Sequence, residues 1–187
     1  MPEYEWVTAD IFTVAEFFTR TECEEAIRRA ESLGFSEAPI NSAFGPRMRK
    51  DIRNNARVII DDAIWAEELW RRAAVYVPQR REDWRAVGVN ERLRCYRYDA
   101  GQQFDWHRDG YFERENGDRS HLTFMVYLNE GFEGGETSFE DTVVTPKQGT
   151  ALFFTHRLLH KGELVVKGRK YAIRTDVMYR RAASSES

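Results

Sequence analysis

The chain has 187 residues, enough for one domain with a sizeable core, and 28 lysines and arginines against 31 acids leave a net charge of −3. That balance does not favour nucleic acid or a membrane surface as a partner, and no apolar run approaches the roughly 20 residues of a membrane helix. The acidic start Met1-Pro2-Glu3-Tyr4-Glu5-Trp6 lacks a leader pattern, and two cysteines, Cys23 and Cys95, make no disulfide framework, so a cytoplasmic protein with ordinary buried thiols is expected.

Residues 1–90 read as a mainly helical support and substrate-side segment of a single domain spanning 1–187. Thr21-Glu22-Cys23-Glu24 predicts a capping box, and Gly34 closes that helix after Leu33. Between the two expected helices, residues 45–57 carry five bases, Arg47, Arg49, Lys50, Arg53 and Arg57, against the single acid Asp51. They read either as a solvated loop or as an edge of the substrate site favouring a carboxylate-bearing partner. A second helix follows Asp61-Asp62 and runs through Trp65, Leu69 and Ala73, with Pro78 just beyond.

Residues 91–181 read as strands separated by turns. Strands are expected at Arg92–Tyr98, Ser120–Asn129, Thr137–Glu140, Gly149–Thr155 and Arg169–Tyr179, with turn chemistry at Gly134-Gly135 and from Pro146 to Gly149. Alternation sorts two of them into faces. Leu122, Phe124, Val126 and Leu128 oppose Thr123, Met125 and Tyr127, and Tyr171, Ile173, Thr175 and Val177 oppose Lys170, Ala172, Arg174 and Asp176. Helices packed on the apolar face, and a barrel lumen lined by the polar face, satisfy both patterns.

His107-Arg108-Asp109 is the sharpest local feature. Residues i and i+2 of a strand share a face, so His107 and Asp109 can point at one metal, with His160 arriving from a later strand. Two imidazoles and a carboxylate cover one face of an octahedron and leave positions open, the arrangement of non-haem Fe(II) oxygenases. His156 and His160 are spaced as a helical zinc pair would be, but His156 ends the apolar strand-like run Ala151-Leu152-Phe153-Phe154-Thr155, so His160 is the preferred ligand. His121 shares the parity of Thr123 and reads as a structural histidine. Lys170 sits on the polar face and can supply the fixed cation that a dicarboxylate needs far from the metal, whereas parity sends Arg169 to the other side. Gly110 to Arg119, polar and carrying Tyr111 and Phe112, is a candidate lid.

Four motifs in order then resemble the prolyl 4-hydroxylase family. Arg97-Tyr98-Asp99-Ala100-Gly101-Gln102-Gln103-Phe104-Asp105-Trp106-His107-Arg108-Asp109 resembles its R-Y-x-x-G-Q-x-[FY]-x-x-H-x-D segment. Thr123 to Asn129 is similar to its T-x-x-x-Y-L strand, Gly134-Gly135-Glu136-Thr137 to its G-G-E-T turn, and His160 through Gly168-Arg169-Lys170-Tyr171 to H-x(7)-G-x-K-[YW]. The match covers roughly residues 92–180. The resemblance implies a double-stranded β-helix, a jelly-roll barrel with helices on its major sheet, that binds Fe(II), 2-oxoglutarate and O2, with ascorbate a further candidate. It makes His107, Asp109 and His160 the iron ligands and pairs Lys170 with the distal carboxylate of 2-oxoglutarate. Tyr98, Thr123 and Tyr127 match positions that hydrogen-bond this cosubstrate, and Arg174, which shares the parity of Lys170, is a candidate contact of cosubstrate or substrate. The implied activity is hydroxylation of a C–H bond in a prolyl peptide or small amino-acid-like substrate, with release of succinate and CO2. The alternatives are an oxidative demethylase of nucleic acid or protein, whose relatives usually anchor 2-oxoglutarate with arginine, and a non-catalytic sensor of metal or 2-oxoglutarate.

Overall fold

Two antiparallel sheets place the site between them. The computed structural model describes residues 3–38, 40–42, 45–47, 49 and 52–182. The larger sheet has ten strands among these residues, and its main path runs Tyr4–Thr8, Ile11–Val14, Ala151–Thr155, Arg119–Tyr127, Arg169–Arg181, Arg92–Asp99, Ala56–Asp61, Ser36–Glu37. Trp84–Val89 pairs with the far half of Arg169–Arg181 and in turn with Arg80–Arg81. The smaller sheet is ordered Phe104–His107, His160–Gly162, Thr137–Phe139, Val143–Val144.

Strand register fixes which side chains meet. Thr123 lies opposite Asp176 on one side and Phe154 on the other, and Met125 lies opposite Arg174. Lys170 lies opposite Tyr98, and Ala172 opposite Tyr96. The polar alternation predicted for the two central strands therefore forms one continuous face. The opposite face carries Leu122, Phe124, Val126, Ile173 and Val177, which share one buried cluster with Cys23, Ala26 and Ala30 of helix α1 (Arg20–Leu33) and Ala66, Leu69 and Ala73 of helix α2 (Ala63–Ala73). Small residues on the helices let their backbones approach a sheet face crowded with rings. Phe153 stacks on Phe12 at 4.7 Å and on Phe124 at 4.4 Å across three neighbouring strands, an arrangement that adds to the burial of large apolar surface. Cys23 and Cys95 are free and buried, and burial pushes their thiols up to about 11 and about 12.

The C-terminal strands lie where alternation put them, with ends shifted by up to two residues. The first ninety residues differ from the expectation of a mainly helical segment. Among the described residues they hold two helices, while Tyr4–Thr8, Ile11–Val14, Ala56–Asp61 and Trp84–Val89 are strands of the large sheet. Each is a short run rich in β-branched or aromatic residues, and pairing with a neighbouring strand decides its conformation. The capping box also moves. Thr19, not Thr21, caps α1: its hydroxyl accepts from Glu22 N at 3.2 Å, and the Glu22 carboxylate accepts from Thr19 N at 2.7 Å. Glu22 is fixed further by Arg72 of α2 at 2.6 Å, a contact no local reading of either threonine contains. Asp62 caps α2 as expected, accepting from Trp65 N at 2.9 Å, and Arg29 of α1 pairs with it at 2.6 Å. No helix among the described residues is long and apolar enough to cross a membrane.

Thr19→Ala is expected to lower stability by about 1 kcal/mol, and Thr21→Ala by less than about 0.5 kcal/mol. Urea unfolding of both variants checks this, and a larger loss for Thr21→Ala would restore the cap to that residue.

Candidate active site

His107 and His160 become neighbours through antiparallel pairing. His107 ends the strand Phe104–His107, His160 opens His160–Gly162, and the two are register partners. Their rings lie 4.2 Å apart. Asp109 follows the first strand by two residues, and its carboxylate comes within 3.8 Å of His107 Nε2 and 3.6 Å of His160 Nε2. One ligand atom from each of the three lies within 4.8 Å of the others. Both imidazoles are oriented from behind. His107 Nδ1 donates to Asp105 O at 2.7 Å, and His160 Nδ1 donates to Leu158 O at 3.0 Å, which leaves each Nε2 lone pair facing the centre. Burial, then the neighbouring His160, pulls His107 down to about 3, and burial lowers His160 as well. The rings are therefore neutral at pH 7, the form that binds a metal. Donor set, convergence and tautomer all fit a divalent transition metal.

Asp109 is the most constrained group in the site. Arg174 Nη1 lies 2.7 Å from Oδ1, and Thr123 Oγ1 donates to Oδ2 at 2.6 Å. Burial, the largest single effect, would raise the carboxyl, but the Arg174 guanidinium, the two neighbouring imidazoles and the Thr123 hydrogen bond together outweigh it and hold Asp109 well below the usual carboxylate range. Arg174 also pairs with Asp176 at 3.1 Å, and Asp176 with Arg94 at 3.3 Å. Thr123 and Arg174, expected against the cosubstrate, are thus bonded to the carboxylate of the triad.

Behind Thr123 stands His156, outside the triad. Its Nδ1 is 3.0 Å from Thr123 Oγ1 and its Nε2 2.9 Å from Ser120 Oγ, while Phe112 N donates to Ser120 Oγ at 2.8 Å. With Thr123 donating to Asp109, one assignment uses each hydrogen once: Phe112 N–H to Ser120, Ser120 to His156 Nε2, His156 Nδ1–H to Thr123. Burial lowers His156, which keeps the ring neutral for that role. The spacing of His156 contained no sign of this chain; its strand-end position beside a serine and a threonine that face it was the only available clue. His121 turns away at a bulge between Ser120 and Leu122 and packs on Tyr179 at 4.9 Å and Trp84 at 4.8 Å.

Lys170 is 3% exposed and has no carboxylate partner among the described residues. Its Nζ donates to Gly135 O at 2.5 Å and lies 5.3–5.4 Å from the rings of Tyr127 and Tyr98. Burial lowers the ammonium to about 8, partly opposed by Glu136. The Gly134-Gly135 turn makes this contact possible. Both glycines have positive φ, and a Cβ on Gly134 would meet Leu164 O at 2.2 Å. Tyr127 shares a hydrogen bond with Thr137 at 2.7 Å. Burial raises the Tyr127 phenol and pushes Tyr98 up to about 12, so both remain donors at pH 7. Tyr98, Lys170, Arg174, Thr123 and the triad line one pocket. Arg169 is exposed and pairs with Asp99 at 2.5 Å, as parity required.

Of the basic run, Lys50 lies outside the described residues. Arg53 and Arg57 line a cleft that opens beside the triad. The segment 110–119 folds back on itself through the Glu113–Arg119 bridge and a 2.6 Å ion pair between the same residues, with Tyr111 exposed.

Comparison with known proteins gives the geometry a context. Residues 93–175 match a protein-family model described as the 2OG-Fe(II) oxygenase superfamily. Among curated proteins, the chain is 25% identical to a probable prolyl 4-hydroxylase 8 and 23% identical to a probable prolyl 4-hydroxylase 3, both of Arabidopsis thaliana. Each alignment covers 86% of this chain and 66% of the relative, so the chain spans just under two thirds of their length. Among solved structures, a viral collagen prolyl hydroxylase from Paramecium Bursaria Chlorella virus-1 aligns with TM-score 0.61, 22% identity and 96% coverage of both chains. A prolyl hydroxylase from Trichoplax adhaerens, in complex with a hypoxia inducible factor peptide fragment, aligns with TM-score 0.69 at 18% identity, covering 91% of this chain and 84% of that one. These likenesses establish a shared, mostly β fold of the jelly-roll kind.

Lys170 generates a stability prediction. Its folded value of about 8 lies below its ordinary 10.5, so between those values the unfolded chain binds more protons and stability rises with pH. Below pH 8 the buried ammonium costs roughly 3 kcal/mol. Lys170→Met removes the charge and keeps the length, so without ligands it is expected to melt several degrees above the unsubstituted chain at pH 7, by a margin that shrinks toward pH 10. A lower melting point for the variant at pH 7 would instead make Lys170 a structural residue.

Proposed function

We propose that this chain is a 2OG-Fe(II) oxygenase of the prolyl 4-hydroxylase type, a dioxygenase that hydroxylates an unactivated C–H bond of a prolyl peptide or protein, or of a small amino-acid-like substrate, releasing succinate and CO2. The observation that carries the reading is one pocket containing both the converging His107, Asp109 and His160 and a buried lysine with no ion-paired carboxylate among the described residues. In this reading the two sheets close as a double-stranded β-helix around the pocket, with α1 and α2 supporting the large sheet. Ascorbate is carried as an accessory cofactor on the family resemblance alone.

His107, Asp109 and His160 would hold Fe(II) by two imidazole nitrogens and a carboxylate oxygen, leaving positions open. Lys170 would hold the distal carboxylate of 2-oxoglutarate, which supplies the counter-charge its ammonium lacks. Together the bound iron and 2-oxoglutarate would supply oxygen activation coupled to oxidative decarboxylation. The chain's own residues do the positioning. Arg174 and Thr123 hold the Asp109 carboxylate from both oxygens, so it stays ionised and cannot swing. The carbonyls of Asp105 and Leu158 hold both rings in the ligating tautomer. Tyr98 and Tyr127 flank Lys170 as protonated donors and exclude water from it.

His107→Ala and His160→Ala are each expected to lose stoichiometric Fe(II) and 2-oxoglutarate turnover. His156→Ala is expected to keep most of its iron while losing roughly 1–3 kcal/mol of stability from broken buried hydrogen bonds. Metal analysis together with succinate release decides this, and loss of iron in His156→Ala with retention in His160→Ala would overturn the assignment.

Lys170→Ala is expected to raise the 2-oxoglutarate requirement about tenfold or more, because a buried carboxylate left unpaired costs roughly 3–5 kcal/mol. Arg169→Ala is expected to change it little. The reverse order in 2-oxoglutarate titrations would remove Lys170 from the site.

A further inference from the structure

The cleft beside the triad, about 410 Å³ in volume, is lined by five arginines, Arg53, Arg57, Arg94, Arg108 and Arg174, and by one carboxylate, Asp109. Not all of that charge is free. Arg174 is paired with Asp109 and Asp176, and Arg94 with Asp176. Arg108 is exposed and donates to Arg157 O at 2.9 Å. Arg53 and Arg57 remain, and neither has an ion pair among the described residues.

Arg53 is the informative one. It is 5% exposed, yet among the described residues its one side-chain hydrogen bond is from Nε to the neutral Asn55 Oδ1 at 2.7 Å, and its Nη2 has no partner there. Its guanidinium is held over Phe104 at 4.3 Å and over Tyr96 at 4.8 Å, and Phe104 in turn stacks on the His107 ring at 3.5 Å. Backbone bonds fasten its segment to the strand of the triad: Arg53 bridges Phe104, Asp105 N donates to Ile52 O at 2.8 Å, and Gln103 N donates to Asn54 Oδ1 at 2.8 Å. A buried guanidinium with Nη2 unpartnered and no counter-ion among the described residues is costly unless an anion completes it. Arg57 faces the same space from the next strand, opposite Tyr96. Burial, with crowding by Arg53 and Arg94, pulls it below its ordinary value.

We infer that this cleft binds a carboxylate of the substrate, with Arg53 as its anchor and Arg57 as its second cation, and so selects acidic peptides or free amino acids as targets, an inference that rests on the oxygenase reading above. The shared chemistry is one carboxylate close to the carbon to be hydroxylated, from an acidic side chain or from a main-chain terminus. A nucleic acid fits less well. A phosphate backbone is tracked by cations along an open surface, whereas the anchoring cation here is buried in a cleft of side-chain size. The exposed indole of Trp106 lines the same cleft and offers an apolar wall for the rest of the substrate.

The test is succinate release by the full chain supplied with Fe(II) and 2-oxoglutarate. Release without added substrate reports the oxygenase reading alone, and its absence would sink that reading rather than the carboxylate site. The substrate arms compare short prolyl peptides carrying Glu beside the proline with their Gln counterparts, free proline with prolinamide, and a single-stranded oligodeoxynucleotide. The carboxylate member of at least one pair is expected to accelerate release about tenfold or more over its neutral partner, by a margin that narrows at about 0.5 M salt. The peptide pair reports a side-chain carboxylate and the proline pair a terminal one. Arg53→Gln is expected to abolish that preference, and Arg57→Gln, at a half-buried position that tolerates change, to reduce it several-fold, with melting curves confirming that each is folded. Equal acceleration within every pair, acceleration by the oligonucleotide alone, or none by any carboxylate compound while unstimulated release persists would each overturn the proposal. So would a preference that survives in Arg57→Gln and in a folded Arg53→Gln.

Discussion

Everything in the site depends on the ion pair between Arg174 and Asp109. A carboxylate with 4% of its side chain exposed cannot stay charged without a close cation. Arg174 provides it, and is itself tied by Asp176, which is tied by Arg94. The four charges alternate in sign and sum to zero, so this chain of ion pairs carries no net charge of its own. Thr123 adds a hydrogen bond to the other oxygen of Asp109, and the geometry of the triad's weakest member is set by the strands on either side of it. A carboxylate pinned from both oxygens holds its place, which a loop residue two positions past the end of a strand would otherwise not do.

The strand Arg169–Arg181 supplies both ends of that arrangement. Lys170 and Arg174 lie four residues apart on one face, about 13 Å along the backbone at 3.3 Å per residue. One end meets the carboxylate of the triad; the other ends in an ammonium held by the Gly135 carbonyl. A single rigid element therefore sets the separation between the triad and the lysine. The opposite face of the same strand is buried on α1 and α2 through Ile173 and Val177, so packing energy from the helices is what keeps the measuring face in register.

Much of this was legible in the sequence because it follows from a period of two. Parity put Lys170, Arg174, Thr123 and Tyr127 on one face, and sent Arg169 to the other, where it pairs with Asp99. The H-x-D spacing and a later histidine named the three groups that converge. What stayed hidden are contacts between distant segments. Thr19 and Thr21 both precede a glutamate by three residues, and the glutamate of the Thr19 box is the one held by Arg72, fifty residues away in sequence. His156 is spaced like a metal ligand, and only the fold shows that Ser120 and Thr123 occupy both its nitrogens. The bulge after Ser120 defeats parity for His121. Ile11–Val14 and Ala56–Asp61 are too short to declare themselves, and they are strands because Ala151–Thr155 and Arg92–Asp99 offer them edges.

The basic run shows the same divide between composition and placement. As sequence, residues 45–57 are a cluster of charges, and a charge cluster is usually a solvated face. The fold separates its members. Arg53 is drawn inward because Phe104 and Tyr96 present ring faces that a weakly hydrated guanidinium can lie on, while Asp105 and Gln103 bond the backbone beside it. Such a placement would be unfavourable for an ammonium, whose hydration is stronger and whose shape does not stack. It suits arginine, whose planar guanidinium lies on the two rings while its Nη2 stays without a partner among the described residues. Arg53 lines the cleft next to His107, so the same stacking column that flanks a triad histidine also carries an arginine with no ion pair among the described residues, and under the proposed function the chemistry of the triad and the choice of substrate would rest on one piece of backbone.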